Sequence, residues 1–431
     1  MLITKLYALI SLLIFISTNT FAEDEVSHIY CGQMLDVESE EIIDGVMISV
    51  DPKTEKVIEI NSNIRLAHAN NPLDLSNYFC LPGLIDMHTH ISEKTSSDLS
   101  EFLTRSQEEQ LVEARENAQT TLEVGFTSIR DVGVYIAWTD KRLRDEINQG
   151  LTPGPRMQIS GYYLTIPGGG GDIDIPDYKG EVPEHIRQGV TRGKDQFRQR
   201  AEKAVNGGAD LLKMIASGAV LAYGSTPGSP EMNPDEIEAV VNVGQEAGIR
   251  VTAHAHGAES IKQAILAGVN SIEHASLIDD EGIRLAKEKG VALSMDIYNG
   301  DYINTVGVIE EWPEEFLRKN RETTQIQREN FTKAHQAGVI IVYGTDAGVY
   351  PHGDNAKQFA YMVNHGMTSL EAIQSATIVA AKVMNWEDRV GQIKPGYFAD
   401  IIAVRDNPLL NIRLLEDINV VIKGGVVYKA N

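Results

Sequence analysis

His88-Thr89-His90 ends an apolar run that begins Pro82-Gly83-Leu84-Ile85. On an extended strand residues i and i+2 point to the same side, so both imidazoles can reach one divalent cation. Taken alone, the pair is equally readable as core or surface histidines. Four other apolar runs carry residues of related chemistry: Leu211-Leu212-Lys213, Val251-Thr252-Ala253-His254, Ser271-Ile272-Glu273-His274 and Ile341-Val342-Tyr343-Gly344-Thr345-Asp346. A metal site needs several such donors from distant segments, and the C-terminal ends of parallel barrel strands bring them to one face.

Lys213 lies within Ala209-Asp210-Leu211-Leu212-Lys213-Met214-Ile215, where burial penalises the ammonium form. The neutral amine can take up carbon dioxide as an anionic carbamate that bridges two cations; the competing reading is a lysine paired with a nearby carboxylate. His254 and His274 close runs separated by a helical stretch, a strand-helix-strand spacing that suits a second cation. His256, in the same His-Ala-His-Gly turn, is read as lining the substrate pocket, with the two roles exchangeable. Asp346 can accept a proton from an activated water and pass it to a leaving amine. A helix N-cap is the alternative, and it is disfavoured because Gly348 and Pro351 follow.

These side chains need a scaffold. Strand-like segments at 84–88, 126–131, 156–161, 210–216, 250–255, 271–274, 291–296 and 339–344 alternate with helical stretches such as 258–267, 281–289 and 315–337. Eight apolar strands separated by helices predict a closed (β/α)8 TIM barrel over about 83–390. The interval 162–208 should hold an active-site loop and then a helix, and Thr368 with Glu371 forms a capping-box signal. The flanking segments, 23–82 and 391–431, read as short strands and are expected to build one small β-sandwich domain from both ends.

The net charge of −23 opposes nucleic acid and anionic membranes as partners. Lys5, the apolar run from Leu6 to Ile16 and the small-residue site Thr20-Phe21-Ala22 read as a signal peptide over 1–22. The expectation is therefore a periplasmic or secreted protein, free of the membrane once cleaved. Cys31 and Cys80, the two cysteines, are either a disulfide or two buried thiols.

The pattern Pro82-Gly83-Leu84-Ile85-Asp86-Met87-His88-Thr89-His90, Lys213, His254, His274 and Gly344-Thr345-Asp346 resembles the amidohydrolase superfamily in its binuclear form. Ser294-Met295-Asp296-Ile297-Tyr298-Asn299 and the run from Tyr343 to Phe359 resemble exported imidazolonepropionase-like members. These include dipeptidases and carboxypeptidases that release a C-terminal residue, often arginine or lysine, and enzymes that hydrolyse N-acylated aromatic amino acids. The resemblance implies that His88 and His90 hold one metal and His254 and His274 the other. Carboxylated Lys213 would bridge the two, and Asp346 would bind the first metal and shuttle the proton. Two zinc ions are the implied pair, with manganese or cobalt as alternatives.

The implied substrate is a dipeptide or N-acyl amino acid; a hydrophobic N-acyl amino acid or a cyclic amide is the alternative. Asp296, with Asp301, is a candidate partner for a basic side chain. Tyr223 and His256 are candidates for the substrate carboxylate, and His352 with Asn355 for the rim. The loop Pro167 to Asp172 resembles one in which many relatives carry a histidine where this chain has Gly170. A mononuclear deaminase and a non-catalytic barrel are competing readings. Lys213 argues against the first and the full ligand set against the second; self-association stays open.

Overall fold

The computed structural model describes residues 27–66, 71–93, 98–176 and 178–431; the signal-peptide segment at 1–22 lies outside them. Fifteen strands are found among these residues. Four precede the barrel: β1 (Ser27–Asp36), β2 (Glu41–Asp51), β3 (Lys56–Asn61) and β4 (Leu73–Pro82). The barrel strands are β5 (Leu84–Thr89), β6 (Phe126–Asp131), β7 (Arg156–Ile159), β8 (Leu211–Ile215), β9 (Arg250–Gly257), β10 (Ser271–Leu277), β11 (Ala292–Ser294) and β12 (Ile341–Val342). Three follow: β13 (Ile401–Val404), β14 (Val420–Lys423) and β15 (Val426–Ala430).

The barrel strands pair in parallel as two arcs, β5-β6-β7 and β8 to β12 in order. Backbone bonds close both seams. At one, Leu164 N–H donates to Lys213 O and Ile215 N–H to Leu164 O, both at 2.9 Å. At the other, Met87 N–H reaches Tyr343 O and Asp346 N–H reaches His88 O, both at 2.8 Å. The architecture is thus the (β/α)8 barrel expected from the alternation. The third and eighth strands are shorter than anticipated. Gly161, at φ 80°, turns the chain after the third. Past Val342 the backbone meets β5 through irregular contacts rather than a ladder.

Helices return the chain between strands. Those at Ala258–Ala267, Asp280–Lys289 and Glu314–Ala337 each stop at a glycine with positive φ (Gly268, Gly290, Gly338), the left-handed cap that releases the chain into the next strand. The capping box at Thr368 and Glu371 is present, with both reciprocal bonds. The interval after β7 is a loop followed by the helix Lys194–Gly207. Among the described residues no helix is long and apolar enough to cross a membrane.

Both ends of the described chain meet in one seven-stranded sheet, β15-β14-β13-β4-β1-β2-β3, with β13 antiparallel to β4 and Val404 opposite Phe79. Val57 N–H donates to Tyr397 O at 2.9 Å and Ala399 N–H to Glu55 O at 2.8 Å, which folds edge strand β3 back towards the start of β13. Alternation then divides the side chains. Ile401, Ala403 and Ile422 join Ile29, Val46 and Ile48 in the sheet's own core. Ile402, Val404 and Val421 join Leu81, Leu84 and Phe126 in the barrel's core. A Cys31–Cys80 disulfide ties β1 to β4. Arg156 fastens barrel to sheet, 3.0 Å from Asp400 and stacked 3.5 Å over the Phe398 ring.

Candidate metal centre

Every anticipated ligand arrives at the C-terminal mouth of the barrel. His88 and His90 come from the end of β5, Lys213 from β8, His254 and His256 from β9, and His274 from β10. Asp296 and Asp346 follow β11 and β12. All eight line one cavity of about 140 Å³. Donor atoms of His88, His90 and Asp346 lie within 4.8 Å of one another, as do those of His254, His256 and His274, and those of His274, Asp296 and Asp346. The His254 and His274 rings are 4.5 Å apart, and His88 is 4.9 Å from His274.

The geometry around Asp346 fits a cation. Its Oδ1 lies 3.2 Å from His88 Nε2 and 3.1 Å from His90 Nε2. Both nitrogens of buried His88 lack an aligned hydrogen-bond partner. Buried polar groups are seldom left so, and two imidazole edges aimed at one carboxylate oxygen could hold a shared metal ion.

A second layer fixes the rings. His88 Nδ1 lies 2.9 Å from Glu273 Oε2, and Glu273 is held by Arg130 at 2.7 Å, by Ser271 and by Thr252. His90 Nδ1 meets Gly133 O at 2.9 Å and the Tyr163 hydroxyl at 3.0 Å. His274 Nδ1 meets Asp296 Oδ1 at 3.0 Å, and His254 Nε2 meets Gly218 O at 3.3 Å. Each bond leaves the opposite nitrogen for a ligand. Asn299 donates to Asp346 Oδ2 at 2.9 Å, turning Oδ1 towards the histidines. Behind β5, buried Asp86 accepts from Thr345 and Asn355 and so ties the HxH strand to the Asp346 loop.

Burial sets the charges. It pushes the Lys213 amine down to about 8, and no carboxylate lies within ion-pair distance of it among the described residues. His256 is pushed down to about 3, chiefly by burial and the His274 ring, and its Nδ1 bonds Ser276 Oγ at 2.8 Å. Burial opposes ionisation of Asp346, yet the His88 and His90 imidazoles hold its carboxyl well below the usual range. Glu93 is pushed up to about 7 by burial. His274 and Asp346 sit in left-handed backbone, at φ 71° and 61°, a conformation that costs a non-glycine residue about 1–3 kcal/mol.

Three expected substrate contacts have other surroundings. Asp296 lines the cavity, but Oδ1 is taken by His274 and Gln327 and Oδ2 by Asn299, so it braces a ring rather than offering a free carboxylate. His352 does not line the cavity, because its nitrogens turn inward to Thr121 Oγ1 at 3.1 Å and the His90 carbonyl at 3.2 Å. Tyr223 stands one ring back, 4.7 Å from Phe316, which does form the wall. His256 lines the cavity as expected of a pocket residue. Gly170 also lines it: a Cβ there would lie 2.8 Å from Ala219 Cβ, and its N–H is held by Glu231 at 2.8 Å.

Sequence reading gave no role to Glu273, Arg130, Asn299, Gln327 or Glu93. The first two carry a legible signal, charged residues within segments that read as barrel strands, whereas the others become visible only when separate loops meet.

The profile of the Amidohydrolase family matches residues 79–429. Over 380 residues the chain is 31% identical to the ochratoxinase of Aspergillus niger, covering 81% of this chain and 75% of that enzyme. It is 23% identical over 421 residues to the imidazolonepropionase of Geobacillus kaustophilus, covering 90% and 88% respectively. A crystal structure of a Xaa-Pro dipeptidase with methionine bound in its active site superposes with a TM-score of 0.86 at 34% identity, covering 94% of this chain and all of that one. The Aspergillus niger ochratoxinase crystal structure gives a TM-score of 0.80 at 25% identity, covering 95% and 97%. With that profile match over most of its length, and the same barrel beneath it, the chain belongs to the amidohydrolase family.

Proposed function

We propose that this chain is a binuclear metal-dependent hydrolase that releases the C-terminal residue of a dipeptide or N-acyl amino acid. The observation that carries the reading is Asp346, which shares one oxygen between His88 and His90 in the same cavity as His254, His274 and buried Lys213. His88, His90 and Asp346 would hold one cation, His254 and His274 the other, and Lys213 as a carbamate would join them; zinc suits the nitrogen-rich set. Bound there, such cations polarise an amide carbonyl and acidify water. The chain's own residues do the rest. Asp346, ionised under ordinary conditions, accepts the water's proton at Oδ1 and delivers it to the departing nitrogen. Asn299 keeps that carboxylate oriented, and neutral His256 presents its remaining nitrogen to the substrate.

An arginine or lysine preference for the released residue is what the family resemblance implies, but its candidate partner in this chain, Asp296, is committed to His274, Gln327 and Asn299. The cavity wall includes Leu99, Phe102, Ile215, Leu221, Ile303 and Phe316 beside the polar Asn320, Thr323 and Thr324. Apolar and aromatic side chains therefore come first in our reading, in keeping with relatives named ochratoxinase and Xaa-Pro dipeptidase. Export to an oxidising compartment accords with the N-terminal pattern and with the disulfide.

The test is a panel of Xaa-Phe, Xaa-Met, Xaa-Pro, Xaa-Arg and Xaa-Lys dipeptides, N-acyl amino acids and cyclic amides, offered to purified enzyme with and without chelator. Hydrolysis that survives exhaustive metal removal would refute the proposal.

A further inference from the structure

Three carboxylates line the cavity among the described residues: Asp346, Asp296 and Glu93. Asp346 and Asp296 each contact histidine and Asn299. Glu93 differs. It has no lysine, arginine or histidine at ion-pair distance among the described residues, and its side chain is held only by the Tyr163 hydroxyl at 3.1 Å and the Tyr135 backbone N–H. Leu99, Phe102 and Val349 line the same cavity. Among the described residues this carboxylate, withdrawn from water beside apolar surface, has neutral hydrogen-bond donors and the nearby His90 ring but no paired cation to offset its desolvation.

Its position says what that cation is. The Tyr163 hydroxyl touches both Glu93 Oε1 and His90 Nδ1, at 3.1 and 3.0 Å, and Glu93 N–H donates to His90 O at 2.9 Å. Gly348 packs closely against this pair: a Cβ there would lie 2.8 Å from His90 Cβ and 3.6 Å from Glu93 Cβ. Glu93 thus borders the side of the cavity where His90 and Asp346 would hold a cation. The α-amino nitrogen of a dipeptide is two bonds from the scissile carbonyl carbon on the N-terminal side, whereas a basic side chain on the released residue lies across the scissile bond.

We propose that Glu93 binds the free α-ammonium of the substrate's N-terminal residue, making this enzyme a dipeptidase rather than an N-acyl amino acid hydrolase. The inference rests on the hydrolase reading above and narrows its substrate class. A role for Glu93 confined to positioning Tyr163 against His90 would slow all substrates alike.

Ala-Phe and propionyl-Phe differ only in the ammonium. The metal-replete wild type should favour Ala-Phe by about 30-fold or more in kcat/KM, the usual consequence of losing one partner of a desolvated charge pair. Glu93→Gln should bring the ratio towards one with metal content unchanged, and Glu93→Asp should keep part of the preference. Equal wild-type rates on the two substrates overturn the inference, with or without a foldable variant, and leave the hydrolase reading standing. So does a Glu93→Gln enzyme that loses a preference for propionyl-Arg over propionyl-Phe instead, because the cation would then be the side chain. If the loaded enzyme cleaves neither, the hydrolase reading itself fails and this inference with it.

Discussion

Asp296 Oδ1 lies 3.0 Å from His274 Nδ1 and 2.9 Å from Gln327 Nε2, so an acid placed to greet substrate instead steers a ligand ring. Replacing Asp296 with alanine should weaken metal retention by about 10- to 100-fold, as loss of such outer partners does. Activity should fall by the same factor on Xaa-Arg and Xaa-Phe substrates. A selective loss on Xaa-Arg would restore Asp296 as a substrate contact.

Lys213 is buried, its amine is pushed down to about 8 by that burial, and among the described residues no acid lies within ion-pair distance of it. Elemental analysis of Lys213→Ala should show fewer than the two metal ions per chain expected of the wild type, with little hydrolysis remaining. Two ions retained in the variant would remove the carbamate from the scheme.

His352 should make the fold acid-sensitive. Burial lowers its imidazole from 6.5 to about 4, and Nδ1 accepts from the Thr121 hydroxyl while Nε2–H donates to His90 O. Between those values the unfolded chain binds a proton that the folded one refuses, so stability is complete above pH 6.5 and drains away towards pH 4. The contribution at stake is about 3 kcal/mol at most. Thermal melts of wild type and His352→Gln across this window should show the steeper slope in the wild type; parallel slopes would exclude the imidazole as the cause.

The Cys31–Cys80 disulfide spans 49 residues. Loop-closure entropy for such a span is worth about 4 kcal/mol in the chain-entropy model. Cys31→Ala with Cys80→Ala, or reduction of the wild type, should therefore lower the melting temperature of the chain. An unchanged melt would mean that the sheet holds β1 to β4 without help.

What could be read in advance followed from short-range rules. Strand periodicity, glycine caps and i, i+2 geometry located the eight barrel strands, and they carried His88, His90, Lys213, His254 and His274 to one mouth. The failures share a cause. Asp296, His352 and Tyr223 were judged from position along the chain, but what a side chain bonds depends on neighbours far away, such as Gln327 for Asp296 and Thr121 for His352. Glu93 was passed over because a single acid after a strand has no pattern. Only the meeting of Tyr163, Gly348 and His90 gives it a setting.

The pairing of β13 with β4 also constrains how this molecule comes into being. One edge of β4, from Phe79 to Pro82, must wait for residues 401–404, more than three hundred positions downstream, while β1 covers the other. Until then the barrel's floor lacks Ile402, Val404 and Val421, and the strand feeding the HxH segment is a raw edge open to wrong partners. A polypeptide cut short before Ile401 should therefore be found in the insoluble fraction, with even His88 and His90 unsettled.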